Sequence, residues 1–190
     1  GPLVLFTGYG IGQNRLLNGF GGRILADPTN SASPDRGIAV QGSDGVEVIE
    51  NQGLIQGKLL LGAGDDVYRV GPVSTLDGSL DGGTGSDTLE LLLGSAPSPF
   101  DLAGPVGFER LTIESGGRWS LVGSGALPET VVEPFGALWL VSGQSASLAG
   151  NLQQQANSRL QAEGDPTSWS VPLQVTGTVT LEAGAFVQFL

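Results

Sequence analysis

The amino-acid sequence predicts an all-β fold, a right-handed parallel β-helix (a β-solenoid) with turns of about 20 residues. Three observations lead to this prediction. The composition disfavours helices, apolar and polar residues alternate along many short segments, and whole segments recur along the chain at similar intervals. The 190 residues are also enough to bury a hydrophobic core.

Glycine and proline distinguish the composition from that of a helical protein. The chain contains 32 Gly and 11 Pro, and both residue types are costly inside helices. Its hydrophobic fraction of 39% and charged fraction of 14% are those of a folded chain rather than a disordered one. Many short strands joined by Gly-rich turns would account for this composition.

The charge of the chain and two missing residue types exclude several functions. The net charge is −11 and the isoelectric point about 4.1, so the surface repels nucleic acids and anionic lipids. No apolar run is long enough to span a bilayer, and we expect no direct membrane insertion. Because the chain has no His and no Cys, it holds no Ser-His-Asp triad, no Cys-His dyad and no His-ligated zinc.

The first repeat relates residues 53–70 to residues 74–91 without a gap, which defines a 21-residue offset. The aligned pairs are Gly57 with Gly78, Gly62 with Gly83, Gly64 with Gly85, Asp66 with Asp87, Tyr68 with Leu89 and Val70 with Leu91. Glycine permits a positive φ at corners, while alternating apolar positions indicate strands with one buried face. The offset therefore predicts the length of one solenoid turn.

A second repeat covers residues 111–121, 130–140, 152–162 and 179–189, which follow one another at somewhat unequal intervals. Each copy has two alternating arms around a short corner. At that corner Glu114, Glu133, Gln155 and Glu182 share one column. The same alternation predicts that the following side chains point inward: Ile113, Trp119, Leu121, Val132, Leu138, Leu140, Leu152, Leu160, Leu181, Val187 and Phe189.

Two further side chains of this repeat, Trp139 and Gln154, allow specific predictions. Trp139 alternates with the inward residues and would face outward. Gln154 falls in an inward column, so it would need a buried hydrogen-bond partner or a distorted turn.

The period also decides between repeat architectures. It is too short for a propeller blade, and the signature of leucine-rich repeats is missing. Stacked solenoid turns remain, because each turn must share its core with its neighbours. Residues 27–36, 94–107 and 164–172 interrupt the period with Pro, Ser and Gly, and we expect them to protrude as loops. Each loop is either a binding surface or a solvated excursion.

Residues 82–90, GGTGSDTLE, fit the Ca²⁺-binding nonapeptide pattern of RTX β-rolls. Calcium needs six to eight oxygen ligands, and one nonapeptide supplies about half of them. In the related segment 60–68, Gly64 and Asp66 precede Gly85 and Asp87 by 21 residues, which is not the nonapeptide spacing of a β-roll. The candidate calcium ligands Asp66 and Asp87 are therefore better explained as residues that brace a corner. We predict no metal site and no cofactor, and a calcium site stays the alternative.

Paired carboxylates could in principle cleave polysaccharides, as in glycosidases. The candidates are Asp65, Asp66, Asp77, Asp81 and Asp87, which the 21-residue offset places on neighbouring turns. Asp is also a favoured turn residue, because its side chain bonds nearby backbone N–H groups. We expect the turn role, no catalytic residues and no enzymatic activity.

Three stretches of the chain, residues 51–70, 80–91 and 108–123, together resemble the passenger domains of bacterial autotransporters (type V secretion). The stretch FERLTIESGGRWSLVG is similar to a turn that recurs in that family. The resemblance implies a right-handed β-helix exported through the periplasm and through its own C-terminal outer-membrane β-barrel. It also implies that residues 108–190 form the autochaperone-like C-terminal turns, with residues 1–107 as preceding turns with inserted loops.

The sequence thus predicts a structural and binding module, the β-helical stalk of a cell-surface or secreted autotransporter. We expect adhesion to an unidentified host or cell-surface protein or glycan. A β-helical polysaccharide-degrading enzyme and an RTX-like calcium-binding module are the alternatives. Gly1-Pro2 is typical of the residues left after removal of an expression tag, and we expect the chain to be a fragment of a longer protein.

Overall fold

A computed structural model gives the structure of residues 2–7, 12–26, 37–94, 98–141, 143–162 and 173–189. The regular secondary structure of these residues consists of β-strands, and they contain no helix. Alternation between buried and exposed side chains runs along most strands, as a one-sided core requires. The predicted all-β class is therefore confirmed.

The strands are short and closely spaced along the chain. The first eleven are β1 (Val4–Leu5), β2 (Gln13–Asn18), β3 (Arg23–Leu25), β4 (Ile38–Ser43), β5 (Val46–Asn51), β6 (Leu54–Gln56), β7 (Lys58–Ala63), β8 (Val67–Val70), β9 (Thr75–Asp77), β10 (Leu80–Thr84) and β11 (Thr88–Leu91). The others are β12 (Ser98–Asp101), β13 (Pro105–Val106), β14 (Arg110–Ile113), β15 (Arg118–Gly125), β16 (Glu129–Val132), β17 (Ala137–Leu140), β18 (Ala146–Leu148), β19 (Asn151–Gln154), β20 (Arg159–Ala162), β21 (Leu173–Val175), β22 (Val179–Leu181) and β23 (Phe186–Phe189).

The chain forms two compact units. The first comprises Gly1–Leu89 with Pro105–Phe108, and the second comprises Glu90–Gly104 with Glu109–Leu190. The sequence prediction instead separates residues 1–107 from residues 108–190, as preceding turns and C-terminal turns of one solenoid.

The first unit stacks its strands in three parallel columns. β1, β4, β7, β10 and β13 form one sheet, β2, β5 and β8 lie side by side in a second, and β3, β6 and β9 form a third. Leu59 pairs with Leu80 and Gly62 with Gly83, which is the 21-residue offset of the first repeat. Parallel pairing of each strand with the strand one turn later is the defining feature of a parallel β-helix.

The second unit repeats this arrangement with the alignment of the second repeat. β14, β16, β19 and β22 pair in order, as do β15, β17, β20 and β23, and every pair is parallel. Leu111 pairs with Thr130, Thr130 with Leu152, and Leu152 with Val179. The predicted parallel β-helix is confirmed, and so is the alignment of all four copies.

Most predicted inward positions of the second unit are buried. The side chains that are at most 9% exposed are Ile113, Trp119, Leu121, Val132, Leu138, Leu140 and Leu152. Leu160 is half-buried. Leu181 and Val187 continue the predicted columns, since they pair with Gln154 and Leu160, but they are 51% and 46% exposed. Within the described residues, β22 and β23 each pair along one edge only, so one neighbouring turn covers these side chains instead of two.

Other sequence expectations have mixed outcomes. Phe189 lies in β23, but its side chain is not among those described. The predicted loops at 27–36 and 164–172 lie outside the described residues. The expectation of a protruding loop at 94–107 is wrong for residues 98–106, which contain β12 and β13. β12 pairs with β15, and Leu102 is 1% exposed. The core thus includes Leu102, which lies between Pro99 and Pro105 in a stretch whose proline content indicated a loop.

Only one of the two polar atoms in the Gln154 side-chain amide has the buried hydrogen-bond partner that the sequence analysis called for. Gln154 is buried, and its Oε1 accepts a hydrogen bond from the Ser158 hydroxyl at 2.7 Å. The Nε2 atom has no hydrogen-bond partner. Trp139 is half-buried rather than fully outward, and its Nε1 is also buried without a partner.

Candidate functional site

Buried acidic side chains occupy the same corner of successive turns in the first unit. Glu47, Asp66 and Asp87 are each 0% exposed, and we call these three residues the acid column. Asp87 Oδ1 accepts the backbone N–H of Asp66 at 2.8 Å, and Asp66 Oδ1 accepts the backbone N–H of Glu47 at 2.7 Å. The prediction that Asp87 braces the corner is therefore confirmed, and Asp66 does the same one turn earlier.

In two members of the acid column, the second carboxyl oxygen makes no hydrogen bond, unlike the first. Glu47 Oε2 and Asp66 Oδ2 are buried and have no hydrogen-bond partner. Burial raises the pKa of Asp66 to about 7, although the hydrogen bond from the Glu47 backbone lowers it, and the charges of Glu47 and Asp87 raise it further. A carboxyl group with this pKa exchanges its proton near neutral pH.

Asn14 and Ser43 continue the column at Glu47. The Ser43 hydroxyl donates to Glu47 Oε1 at 2.6 Å, and Asn14 Nδ2 donates to the same oxygen at 2.6 Å. The Gly45 backbone N–H donates to Ser43 Oγ at 3.1 Å and fixes the corner between β4 and β5. No repeat in the sequence indicates this network, because Asn14 precedes Glu47 by 33 residues, far from the 21-residue period.

Ser43 also lines a groove on the first unit. The groove has a volume of about 360 Å³ and is lined by Leu5, Phe6, Thr7, Gln41, Gly42, Ser43, Asp44, Gly62 and Ala63. Its lining combines hydroxyl, amide and carboxylate groups with the apolar Leu5 and Phe6, a mixture suited to a polar organic ligand. No sequence motif pointed to these residues, since they come from three different turns.

The other candidate acids do not join the column. Asp65 is exposed, and its Oδ1 accepts the backbone N–H of Ser86 at 2.9 Å. Asp77 is exposed and accepts a hydrogen bond from Gln56 Nε2 at 3.1 Å. Asp81 is half-buried. Across the described part of the chain, no group of three or more Asp or Glu side chains is arranged to hold a metal ion.

The glutamate column predicted for the second repeat forms a ladder of its own. Glu114 Oε2 accepts the Leu93 N–H at 3.0 Å, and Glu133 Oε2 accepts the Ser115 N–H at 3.0 Å. Glu182 Oε2 accepts the N–H of Ala156 at 3.1 Å. Each glutamate therefore binds the backbone of the preceding turn, which satisfies donors that the corner leaves without strand partners.

An asparagine ladder braces another corner of the first unit. Asn18 Nδ2 donates to Asn51 Oδ1 at 2.8 Å, and Asn51 Nδ2 donates to the Tyr68 hydroxyl at 3.2 Å. Burial raises the pKa of Tyr68 to about 12, so its hydroxyl stays protonated at physiological pH. Because all three side chains are buried and bonded to one another or to backbone, this ladder is structural.

The described residues contain no helix that is long and apolar enough to cross a membrane. Comparison with protein-family models, with curated proteins and with solved structures found no match for this chain.

Proposed function

We propose that this chain is a β-helical scaffold segment of a bacterial autotransporter passenger, exported through the periplasm to the cell surface or beyond. The observation that supports a scaffold role is the use of polar side chains at its corners. Asp66 and Asp87 in the first unit and Glu114, Glu133 and Glu182 in the second all accept backbone N–H groups of a neighbouring turn. Side chains committed to such bonds stabilise the stack instead of performing chemistry.

The groove lined by Ser43 is the candidate adhesion site of this scaffold. Its hydroxyl and amide side chains can hydrogen-bond a glycan or a peptide, while Leu5 and Phe6 offer apolar contact. The ligand would be a host or cell-surface protein or glycan. In the precursor, the chain's own C-terminal outer-membrane β-barrel would be a further partner.

Pulsed hydrogen exchange during refolding of the full chain tests the autotransporter part of the proposal. If residues 108–190 act as the autochaperone-like nucleus, amides in β14, β16 and β17 gain protection before amides in β4, β7 and β10. Refolding in which the first unit gains protection first, or both gain it together, contradicts this role.

A binding assay tests the adhesion part separately. The full chain is measured by biolayer interferometry against neutral polysaccharides and extracellular-matrix proteins. Gln41→Arg places a bulky cation in the groove and should abolish binding of any ligand found. Gln56→Arg, an equally large change on an exposed residue of β6 that does not line the groove, serves as the control. Equal loss in both variants, or no binding to either class of ligand, rejects the groove as the site.

A further inference from the structure

We propose that the acid column of Glu47, Asp66 and Asp87 is a pH-sensitive switch, which holds the corners of the first unit together when it binds a proton and loosens them when it is fully ionised. The column contains three carboxyl groups on successive turns, all of them buried. Neighbouring turns of a parallel sheet lie about 4.8 Å apart, so adjacent carboxyl groups are close enough to repel strongly.

The hydrogen bonds of the column explain why a proton would be bound there. Glu47 Oε2 and Asp66 Oδ2 have no donor in their surroundings, although both are buried. An ionised carboxylate accepts hydrogen bonds only, whereas a protonated one also donates a bond. One proton on Asp66 therefore removes a buried charge and supplies a donor for a neighbouring carboxylate oxygen.

Burial is the largest cause of the raised pKa of Asp66, and the charged groups around it add repulsion to that effect. Glu47 faces it from the turn before and Asp87 from the turn after, and both raise its pKa. Asn14 and Ser43, which contact Glu47 from β2 and β4, are neutral. The remaining acids of this corner, Asp44 and Asp65, are exposed to solvent.

The direction of the pH effect follows from the raised pKa of Asp66. In the folded state this pKa is about 7, against 3.8 for an unperturbed group, so the folded corner binds the proton more tightly than the opened one. The stabilisation is complete below pH 3.8, falls as the pH rises, and is lost above about pH 7. The switch thus closes in mildly acidic surroundings and opens in alkaline ones.

The corner that opens also contributes a residue, Ser43, to the lining of the groove. Ser43 lines the groove and donates its hydroxyl hydrogen to Glu47, whose backbone N–H is held by Asp66. Loosening of the column therefore alters the position of a groove residue.

Hydrogen exchange of the full chain, measured by NMR between pH 5 and pH 8, tests the switch. The reporters are the amides of Glu47 and Asp66, which donate to the column, with rates corrected for the intrinsic pH dependence of exchange. Linkage with the two pKa values predicts an opening constant that rises on the order of a hundredfold over this range. Asp66→Asn should abolish the rise, because the amide oxygen can still accept the Glu47 N–H but the side chain no longer titrates.

Asp65→Asn is the matched control. Asp65 is the preceding residue and also accepts a backbone N–H from a neighbouring turn, but it is exposed, so its replacement should leave the hundredfold rise in place. A flat wild-type profile, or the same profile in wild type and Asp66→Asn, overturns the proposal. If Asp66→Asn does not fold, the ¹³C carboxyl titration of Asp66 in the wild-type chain decides. A midpoint near 7 supports the switch, and one near 3.8 overturns it.

Discussion

Replacement of Trp119 by alanine should be among the most destabilising single changes in the second unit. Trp119 is 2% exposed, and its Nε1 donates to the Leu92 carbonyl at 2.8 Å. Its ring packs edge-to-face on Phe100, with the centroids 6.5 Å apart and the planes at 84°. Loss of a buried aromatic side chain costs about 3–5 kcal/mol, and the aromatic pair adds about 0.5–1.5 kcal/mol. We therefore expect a loss of roughly 4–6 kcal/mol in the free energy of unfolding.

Urea unfolding followed by circular dichroism measures this loss without relying on tryptophan fluorescence. Trp119→Phe should recover more than half of it, since it keeps an aromatic ring but not the bond to Leu92. Trp139→Ala is the control, because Trp139 is half-buried and its buried Nε1 has no partner. We expect this variant to lose about 2 kcal/mol or less. Equal urea midpoints for Trp119→Ala and Trp139→Ala would refute the inward register assigned to β15.

Three further predictions concern a strained corner, a glycine inside a strand, and calcium. Phe135 has a φ of 65° at a corner position that Gly116 and Gly184 occupy in other turns. Phe135→Gly should therefore raise the free energy of unfolding by about 1 kcal/mol, as measured in urea. A loss of stability in this variant would contradict backbone strain at Phe135. Gly42→Ala should destabilise it by about 3 kcal/mol or more, because the new Cβ would lie 1.5 Å from the Leu61 carbonyl oxygen. Gly19→Ala, with no atom within 4 Å of its Cβ, should be nearly neutral in the same assay. Calorimetric titration should detect no micromolar Ca²⁺ binding, because Oδ1 of Asp66 and Oδ1 of Asp87 each already accept a backbone N–H. Micromolar binding would instead support the calcium-binding interpretation of residues 82–90.

The repeats in the sequence were sufficient to predict the class of fold and most of the register. Alternation and offset are local properties that can be counted along the chain, and the pairing of Leu59 with Leu80 and of Leu111 with Thr130 follows them. The role of Asp87 as a corner brace could be predicted for the same reason. Its aligned partner Asp66 lies one turn away, where it can share a hydrogen bond.

The tertiary structure alone decided which polar side chains lose contact with water. Asp65 and Asp66 are adjacent in sequence, and each accepts a backbone N–H from a neighbouring turn, but only Asp66 is buried. Burial is the main cause of its raised pKa, and the charges of Glu47 and Asp87 add to it. The exposure of Leu181 was equally hidden, because its alternation is the same as that of buried residues. Periodicity determines the direction of a side chain, whereas burial depends on what the stacked neighbours cover.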